Sequence, residues 1–552
     1  MSRSNKSTEQ NWIDRAADKV EAHAFSNKGE GCKIICASGI SPSGSIHLGN
    51  LREIITVHLI VEELRSRGRL VEHIHSWDDF DRLRKVPQGV STHFSQYIGR
   101  SLSAVPDPFG NSSSYAEHYK NEFTGAISQL GIFPRYISQT QEYTSGVYND
   151  QIKLAMSKRR EIFDVLSRYQ TLETEEKVID ERREEYYPFK VYCELCNRDN
   201  TKVTKYDELK SVIHYTCLHC QYSSSFSLDV KTQGKLVWKV DWPMRWSFEK
   251  VDFEPGGEDH SSPGSSFTVG KDLVSSIFKW QAPFYIGYAF VGMGGRSKIS
   301  SSLGTSAIPK DALDILEPAM LRWLYVRRDA ANSFNVDFGK EVLRLYDEWD
   351  VLAKSVASGN ANPMNTKTYS RSVRTSTSVV SSTQTPLPFR FLSSIADITQ
   401  GNRQQVLRII KDHHGVADEE GLEPRLSCAI NWATNYQPED ERTVVRDVFA
   451  QEVYDSLSKE QQDSIDVLVS NLSKHWDVEI LTKLLYGVPK IMKGLDVNAE
   501  PTEEIKVAQR AFFVSLYKLL CSSDTGPRLP TLFLSLGFDK ILSLLQPPTK
   551  GG

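Results

Sequence analysis

The amino-acid sequence predicts an α/β protein in which a parallel-sheet domain is interrupted by a small cysteine module and followed by an all-helical domain. Three observations lead to this prediction. They are a strand–turn–helix–strand pattern near the N-terminus, two Cys-x-x-Cys pairs in the first half of the chain, and mostly helical patterning beyond residue 309. With 552 residues, the chain is long enough for about three to five domains.

The N-terminal pattern begins with KIICAS (33–38), a short apolar run typical of a buried strand. The turn SGISPSGSIHLGN follows, and then a run with apolar residues near helical spacing that stops at Gly68. LVEHIHSW predicts the next strand. Because ligands bind at the carboxyl ends of parallel strands, this turn and the segment SWDDFD after the second strand are expected to face one crevice.

The later segments predict the remaining domains. KLVWKVDWPMRW and PFYIGYAFVGMGG are interpreted as strands that return to the sheet. A stretch of 358–388 rich in Ser, Thr, Asn and Pro is interpreted as a linker, and amphipathic helices follow it. The expected boundaries are 1–180 and 236–308 for the two halves of the sheet domain, 181–235 for the cysteine module, 309–385 for a helical connector and 386–552 for the helical domain.

Four of the eight cysteines form the module's motif, with the spacing Cys-x2-Cys, twenty residues, Cys-x2-Cys. They are Cys193, Cys196, Cys217 and Cys220. Each pair supplies a thiolate chelate, and four thiolates complete a closed tetrahedral zinc site, whereas a catalytic zinc keeps an open position. We therefore expect one structural zinc. Four unligated buried cysteines are the alternative.

Composition narrows the class of protein. A hydrophobic content of 39%, a charged content of 25% and a formal net charge of −4 are those of an ordinary globular protein. A nucleic-acid partner would have to be held by local basic patches rather than by a basic chain. The N-terminus has no apolar core of a signal peptide, and no run has the roughly 18 apolar residues of a membrane helix. We expect a cytoplasmic protein with no membrane contact.

Two polar segments can carry phosphate chemistry. In the turn 41–50, glycines allow backbone amides to approach a phosphate at a helix start, and the imidazole of His47 can donate to an oxygen that gains charge. In GGRSKISSSLG (294–304), Lys298 stands among serines and can lie along a polyphosphate. Each segment alone is also typical of an ordinary polar turn or loop. The two segments together are more informative than either segment alone.

Together these segments resemble the two signatures of class I aminoacyl-tRNA synthetases. The HIGH signature falls on residues 47–50 with Asn50 at its fourth position, and KMSKS falls on 298–302 with Ser301 in place of its second lysine. Further stretches, namely SWDDFDRLRKVP, VPDPFG with SYAEH, KVDWPMRW, GGEDHSSPGSS and PFRFLSSI, are similar in order to class I lysyl-tRNA synthetases. The resemblance covers residues 12 to at least 400.

The resemblance implies a Rossmann-type catalytic domain with an inserted zinc knuckle, followed by a helical anticodon-binding domain. It also implies a lysine–tRNA ligase that activates lysine with ATP and transfers it to the 3′-terminal adenosine of tRNA(Lys) for protein synthesis. The expected ligands are ATP with Mg²⁺, lysine and tRNA(Lys), and we expect a monomer.

Residue roles follow from the resemblance. The implied catalytic residues are His47, Asn50 and Lys298. The implied ATP-binding residues are Ser43, His47, Gly49, Asn50, Gly257, Asp259, Lys298, Ser300 and Ser301. The implied lysine-binding residues are Gly39, Ser41, Trp238 and His260. An ammonium also needs an anion, for which the candidates are Asp78, Asp79 and Asp81, although some of these could only cap a helix.

The loop DPFGNSSSYAEH departs from the family pattern. Many relatives bind a further zinc there through an aspartate, an adjacent Cys-His pair and a later histidine. Asp107 and His118 match the outer positions, but Asn111 and Ser112 replace the central pair, and neither is a usual zinc ligand. We therefore expect this second site to be absent and His118 to be a surface or structural residue.

Three other functions remain possible from sequence. They are another class I activity such as glutamyl-tRNA synthetase, a non-catalytic tRNA-binding relative, and a small-molecule nucleotidyltransferase. The cysteine module, Trp238 and GGEDHSSPG disfavour the first. The joint presence of His47, Gly49, Asn50, Asp259 and Lys298 disfavours the second, and the long helical tail disfavours the third.

Overall fold

A computed structural model describes residues 10–169, 176–260, 264–294, 307–376, 386–414, 419–473 and 477–548. The chain divides into two compact units. The first consists of Met1–Leu313, Pro318–Val336 and Ser355–Val379, and the second of Asp314–Glu317, Asp337–Lys354 and Val380–Gly552. The finer boundaries at 180, 235, 308 and 385 stay predictions.

A parallel sheet organises the first unit. Its strands are β1 (Ile34–Ile40), β2 (Val71–Trp77) and β3 (Arg135–Ser138), in that spatial order. β1 pairs with β2 so that Gly39 lies opposite Ser76, which places the ends of both strands at one edge. On the other side of β1, Cys36 pairs in parallel with Phe253, which pairs in turn with Phe284. The parallel arrangement predicted from the N-terminal pattern is confirmed.

Helices cover this sheet, among them α1 (Trp12–Lys28), α2 (Leu48–Ser66) and α3 (Tyr115–Gln129). The predicted crossover between the first two strands is α2, and it is buried along most of its length. It ends where predicted, since Gly68 just beyond it has a φ of 76°, a left-handed value that favours glycine. The remaining helices between β3 and the cysteine module are α4 (Gln139–Ser145), α5 (Asn149–Ser157), α6 (Arg159–Ser167) and α7 (Glu176–Glu185).

The cysteine module leaves and rejoins the unit through one antiparallel pair, β4 (Phe189–Val191) with β8 (Gly234–Leu236). Val191 lies directly opposite Gly234, so the intervening chain leaves and returns at one place. That chain forms a three-stranded antiparallel sheet of β5 (Thr201–Asp207), β6 (Val212–Cys217) and β7 (Ser223–Ser227). The module is therefore an insertion, as the sequence indicated.

One sequence interpretation is wrong. Only Lys235 and Leu236 of KLVWKVDWPMRW lie in a strand, β8, and the residues from Trp238 onward belong to the helix α8 (Trp238–Glu249). Every residue from Val240 to Ser247 is buried, including the charged Asp241 and Arg245, so the segment has no exposed face that would reveal a helical period. A short buried run of this kind cannot be told from a buried strand by periodicity.

The rest of the first unit consists of two short pairs of parallel strands and of further helices. Its strands are β9 (Gly256–Gly257), parallel to β10 (Gly287–Tyr288), and β11 (Val291–Met293), parallel to β12 (Phe334–Val336). Its helices are α9 (Ser266–Ser276), α10 (Pro309–Leu313), α11 (Pro318–Val326) and α13 (Pro363–Ser372). α13 lies inside the segment interpreted as a linker, where the Asn362 side chain caps it and the buried Arg371 binds Asp14 at 2.6 Å. That part of the segment is therefore ordered helix.

The second unit is helical, as predicted. Its helices are α12 (Glu341–Ala357, up to Lys354), α14 (Phe389–Ile398), α15 (Arg403–His414), α16 (Arg425–Asn435), α17 (Gln451–Ser456), α18 (Lys459–Asn471), α19 (Val478–Met492), α20 (Glu503–Cys521), α21 (Leu529–Leu536) and α22 (Phe538–Leu545). A core of aliphatic and aromatic side chains, including Leu485, Leu516 and Phe533, joins α18 to α22. Among the described helices of the chain, none is long and apolar enough to cross a membrane.

Replacing Leu516 by alanine should lower the free energy of unfolding by about 2–5 kcal/mol, because the side chain is fully buried and truncation leaves a cavity. Urea denaturation followed by circular dichroism measures the change. Val507→Ala on the same helix is the matched control, since Val507 is 63% exposed and its loss should change the value by less than about 0.5 kcal/mol. Equal effects of the two substitutions would contradict this core assignment.

Candidate active site

A cavity of about 810 Å³ opens at the carboxyl ends of β1 and β2. Each residue predicted to bind ATP or lysine, where the structure describes it, lines this cavity: Gly39, Ser41, Ser43, His47, Gly49, Asn50, Trp238, Gly257, Asp259 and His260. Lys298, Ser300 and Ser301 lie outside the described residues. The turn after β1 and the segment after β2 face one crevice, as predicted.

His47 forms the start of α2. It is the N-cap residue, and its Nδ1 accepts a hydrogen bond from the backbone N–H of Asn50 at 3.3 Å. A ring nitrogen that accepts carries no proton, so the proton of the neutral imidazole is on Nε2. A Cβ on Gly49 would lie 2.8 Å from the His47 ring, so any larger residue would displace this imidazole. The spacing of His and Gly in the motif therefore has a steric cause.

Gly257 and Asp259, which also line the cavity, show a similar close approach. A Cβ on Gly257 would lie 2.5 Å from Asp259 Oδ1. The Tyr285 hydroxyl donates to the Gly257 carbonyl at 3.1 Å and fixes the backbone there. The Asp259 side chain is exposed toward the cavity, where its carboxylate can accept hydrogen bonds from hydroxyl groups of a ligand.

Aromatic rings form another wall. Trp238 stacks on Trp242 with ring centroids 5.2 Å apart and an interplanar angle of 16°. His260 meets Trp242 edge-on at 5.9 Å. The guanidinium of Arg245 lies 5.4 Å from the Trp238 ring. Trp238 is thus in contact with a ring and a cation, and it lines the cavity.

A buried ionic cluster lies under this wall and joins β2, β8 and α8. Its members are Asp78, Asp81, Lys235, Asp241 and Arg245. Arg245 binds Asp78 at 2.7 Å and also binds Asp241, one helical turn before it. Lys235 binds Asp81 at 2.6 Å and Asp241 at 3.4 Å. Burial alone would raise the pKa of Asp241, but the two cations lower it below its ordinary value.

The three aspartates that were predicted as candidate ammonium partners have different contacts. Asp78 and Asp81 line the cavity but already hold Arg245 and Lys235. Asp79 accepts from the Thr140 N–H at 2.8 Å and binds Lys120 at 3.1 Å. It therefore caps the start of α4, and it is not part of the cavity lining.

The sequence reasoning missed Glu53 and Tyr288. Glu53 projects from α2 into the cavity, where it accepts from the Gly39 N–H at 2.6 Å and from the Tyr288 hydroxyl at 2.9 Å. Burial and the nearby Glu254 carboxyl raise the pKa of Glu53 to about 8. Burial likewise raises the pKa of Glu254 to about 7, although the Trp246 N–H donates to it at 2.6 Å. A carboxylate in the second turn of the otherwise largely buried α2 was the available signal.

The four module cysteines form a candidate metal centre. Their sulfur atoms all lie within 4.8 Å of one another, with Cys193 and Cys220 at 3.6 Å and Cys196 and Cys217 at 3.7 Å. A tetrahedral site with bonds of about 2.3 Å separates its sulfurs by about 3.8 Å, so the donor set fits such an ion. Both Cys-x-x-Cys turns have the same design, since Asn197 and Gln221 follow with φ near 60°.

Asp107 and His118 lie in the loop where we expect the second zinc site to be absent, and both make other contacts there. Asp107 accepts from the backbone N–H groups of Asn111 and Ser112, both at 2.7 Å, and its Oδ1 lies 3.3 Å from His118 Nδ1. These backbone bonds lower the pKa of Asp107 although burial opposes them. The aspartate therefore shapes its own loop, and His118 packs against Phe109 at 4.6 Å.

Comparison with known proteins shows the family to which the chain belongs. A family model described as tRNA synthetases class I (K) matches residues 10–378. A lysine–tRNA ligase of Streptomyces coelicolor is 43% identical and covers 97% of this chain and 98% of its own. Those of Borrelia garinii and Borreliella burgdorferi are each 32% identical, covering 97% and 96% of this chain and 98% and 97% of their own. The chain therefore belongs to the class I lysyl-tRNA synthetases.

Purified protein should contain about one metal ion per chain, held by the four thiolates. Cys217→Ser should lower this content well below one and destabilise the module, because one of four ligands is lost. Elemental analysis by plasma mass spectrometry measures it. Cys32→Ser, at a half-exposed cysteine outside the cluster, should leave the metal content unchanged. A full complement of metal in the Cys217 variant would show that the ion is bound elsewhere.

Proposed function

We propose that this chain is a lysine–tRNA ligase that converts lysine and ATP to lysyl-adenylate and transfers the lysyl group to the 3′-terminal adenosine of tRNA(Lys), for protein synthesis in the cytoplasm. The observation that carries the proposal is one cavity that joins a phosphate-binding turn to a buried carboxylate. The first suits ATP and the second suits the lysine side chain. Family membership supports the same reaction.

ATP would bind along the turn after β1. Its phosphates would meet the Nε2–H of His47 and the N-terminal amides of α2, with Ser43, Gly49 and Asn50 beside them. Gly257 allows close approach of the adenosine, and Asp259 accepts from the ribose hydroxyls. Lys298, Ser300 and Ser301 would follow the pyrophosphate as it leaves. Mg²⁺, bound with ATP, supplies positive charge to the phosphates.

Lysine would bind with its ε-ammonium at Glu53 and Tyr288. The carboxylate and the phenol oxygen supply the acceptors that a buried cation requires. Trp238 would pack along the methylenes, with Gly39, Ser41 and His260 completing the pocket. A glutamate side chain would add a third carboxyl group beside Glu53 and Glu254, whose pKa values are already raised, so this pocket disfavours the glutamyl alternative.

The reaction needs little covalent work from the protein. A lysine carboxylate oxygen attacks the α-phosphorus, and pyrophosphate leaves. His47, Asn50 and Lys298 would act by holding the phosphates and stabilising charge in the transition state. The 2′-hydroxyl of the tRNA terminus then attacks the carbonyl of lysyl-adenylate, which releases AMP.

The other assignments rest on donor chemistry and on the family. The thiolate set favours zinc, with a structural role because all four ligands come from protein. The helical second unit would bind the anticodon, and the protein would act as a monomer.

Lysine should be the amino acid that supports ATP–pyrophosphate exchange, measured with and without tRNA, and tRNA(Lys) should be charged. Lys298→Ala should lower the rate of exchange by about 10²–10³-fold through loss of charge stabilisation. Lys19→Ala, at an exposed lysine of α1, is the control and should leave the rate unchanged. The proposal would be refuted if glutamate supported exchange and lysine did not. It would also be refuted if no amino acid supported exchange in the presence of tRNA.

The KM for lysine should fall as the pH rises from 6.5 to 8.5. Glu53 holds a proton below its raised pKa of about 8, and only its charged form attracts the ammonium. Steady-state aminoacylation at several pH values measures the effect. Glu53→Gln should raise the KM and abolish this dependence, whereas Glu30→Gln at an exposed site should change neither. A pH-independent KM for lysine in the unmodified enzyme would exclude Glu53 as the ammonium partner.

A further inference from the structure

A buried tyrosine holds the turn after β1. The Tyr115 hydroxyl donates a hydrogen bond to the Ser43 carbonyl at 2.9 Å. Ser43 is one of the residues predicted to bind ATP, and it lines the cavity. Tyr115 is fully buried and is not among the described residues that line the cavity. Any effect of Tyr115 on a ligand in the cavity would therefore pass through the turn.

Several contacts fix the position of Tyr115. It is the first residue of α3, a helix that is capped because the Ser114 side chain accepts from the Glu117 N–H at 3.2 Å. The Tyr115 N–H donates to the Val105 carbonyl at 2.8 Å, and the Tyr119 ring meets the Tyr115 ring edge-on at 5.0 Å. Burial raises the pKa of the Tyr115 phenol above its ordinary value, so the hydroxyl keeps the proton that it donates.

The hydroxyl bonds to a peptide that is otherwise able to turn over. In a planar trans peptide, the carbonyl of one residue and the N–H of the next point in opposite directions. Because the Ser43 carbonyl points to Tyr115, the Gly44 N–H points away from it. Within the part of the chain that the structure describes, this N–H donates to no group. Reversing the peptide shifts the φ of Gly44 towards positive values, as between type I and type II turns, and glycine tolerates such values.

We propose that Tyr115 is a positioning residue for ATP, which holds the Ser43–Gly44 peptide so that its carbonyl oxygen is kept from the phosphates and its N–H is free to donate to them. This assignment rests on the proposed function, because it requires ATP in the cavity. A carbonyl oxygen repels a phosphate, whereas a backbone N–H attracts one. The hydroxyl selects the favourable peptide orientation before ATP binds, which lowers the cost of binding.

A second buried tyrosine makes the same bond to a peptide that is already fixed. The Tyr325 hydroxyl donates to the Leu48 carbonyl, also at 2.9 Å. Leu48 is the first residue of α2, so its carbonyl also accepts the helical hydrogen bond from the Arg52 N–H. The helix orients this peptide without help from Tyr325. The two tyrosines therefore form a matched pair for an experiment.

The experiment removes only the hydroxyl of Tyr115. Tyr115→Phe should weaken binding of ATP with Mg²⁺ about tenfold, because the released peptide can present its carbonyl oxygen to the phosphates. The affinity for adenosine, which has no phosphate, should stay unchanged. Isothermal titration calorimetry on the full chain measures both affinities. In ATP–pyrophosphate exchange, the KM for ATP should rise and the KM for lysine should not. Tyr325→Phe is the control and should leave both affinities unchanged.

A substitution at Gly44 tests the orientation of the peptide directly. Alanine disfavours the reversed peptide, because a Cβ makes left-handed backbone values costly. The observed φ of Gly44 lies outside that region, and an added Cβ would make an ordinary contact with the Pro87 side chain at 3.7 Å. The double variant Tyr115→Phe, Gly44→Ala should therefore bind ATP about threefold more tightly than Tyr115→Phe alone. Lost packing around Tyr115 would not be repaired in this way.

Three results would overturn the assignment. They are an unaltered affinity for ATP in Tyr115→Phe, an equal loss of affinity for ATP and adenosine, and a double variant that binds ATP no better than Tyr115→Phe. The unmodified protein tests the proposed function separately, since failure to charge tRNA(Lys) with lysine would reject the function itself. Charging by the unmodified protein, together with equal ATP affinities in Tyr115→Phe and Tyr325→Phe, would reject the role of Tyr115 alone.

Discussion

The buried contact of Arg245 with Asp78 and Asp241 is the interaction on which the site depends. It fixes the end of β2 against α8, and Lys235 extends it to the base of the cysteine module. Three carboxylates here share two cations, so removing either cation leaves buried charge without compensation, at a cost of about 3–5 kcal/mol. The aspartates after β2 are therefore structural, and they hold in place the helix that carries Trp238.

α2 unites the two substrate sites that are proposed for the cavity. Its first residues bond to the His47 ring, and one turn later Glu53 bonds to the Gly39 N–H at the end of β1. A single helix thus sets the distance between the groups proposed to bind phosphate and the carboxylate proposed to bind the ammonium. Rigid spacing of this kind is what a reaction catalysed by positioning requires, since small displacements of reacting atoms cost large factors in rate.

Local patterns made part of this molecule predictable. The turn at 41–50, the crossover helix and the cysteine pairs depend on neighbours in sequence, so spacing alone revealed them. The helix α8 was not predicted from the sequence. It is buried on all sides, which removes the period that distinguishes a helix from a strand. Glu53, the proposed partner of the ammonium, was missed for a different reason. Whether an acid near a strand end is free depends on cations such as Arg245 that are distant in sequence, and only the fold brings them together.

The pairing of β4 with β8 makes the cysteine module a separable part of the chain. Val191 and Gly234 are register partners, so a tight turn of a few residues would close the chain if everything between them were removed. An element attached in this way can be lost, lengthened or exchanged by recombination without altering the strands on either side. Chimaeras that swap residues 200–233 between relatives would keep the residues that line the cavity while changing the surface that the module contributes.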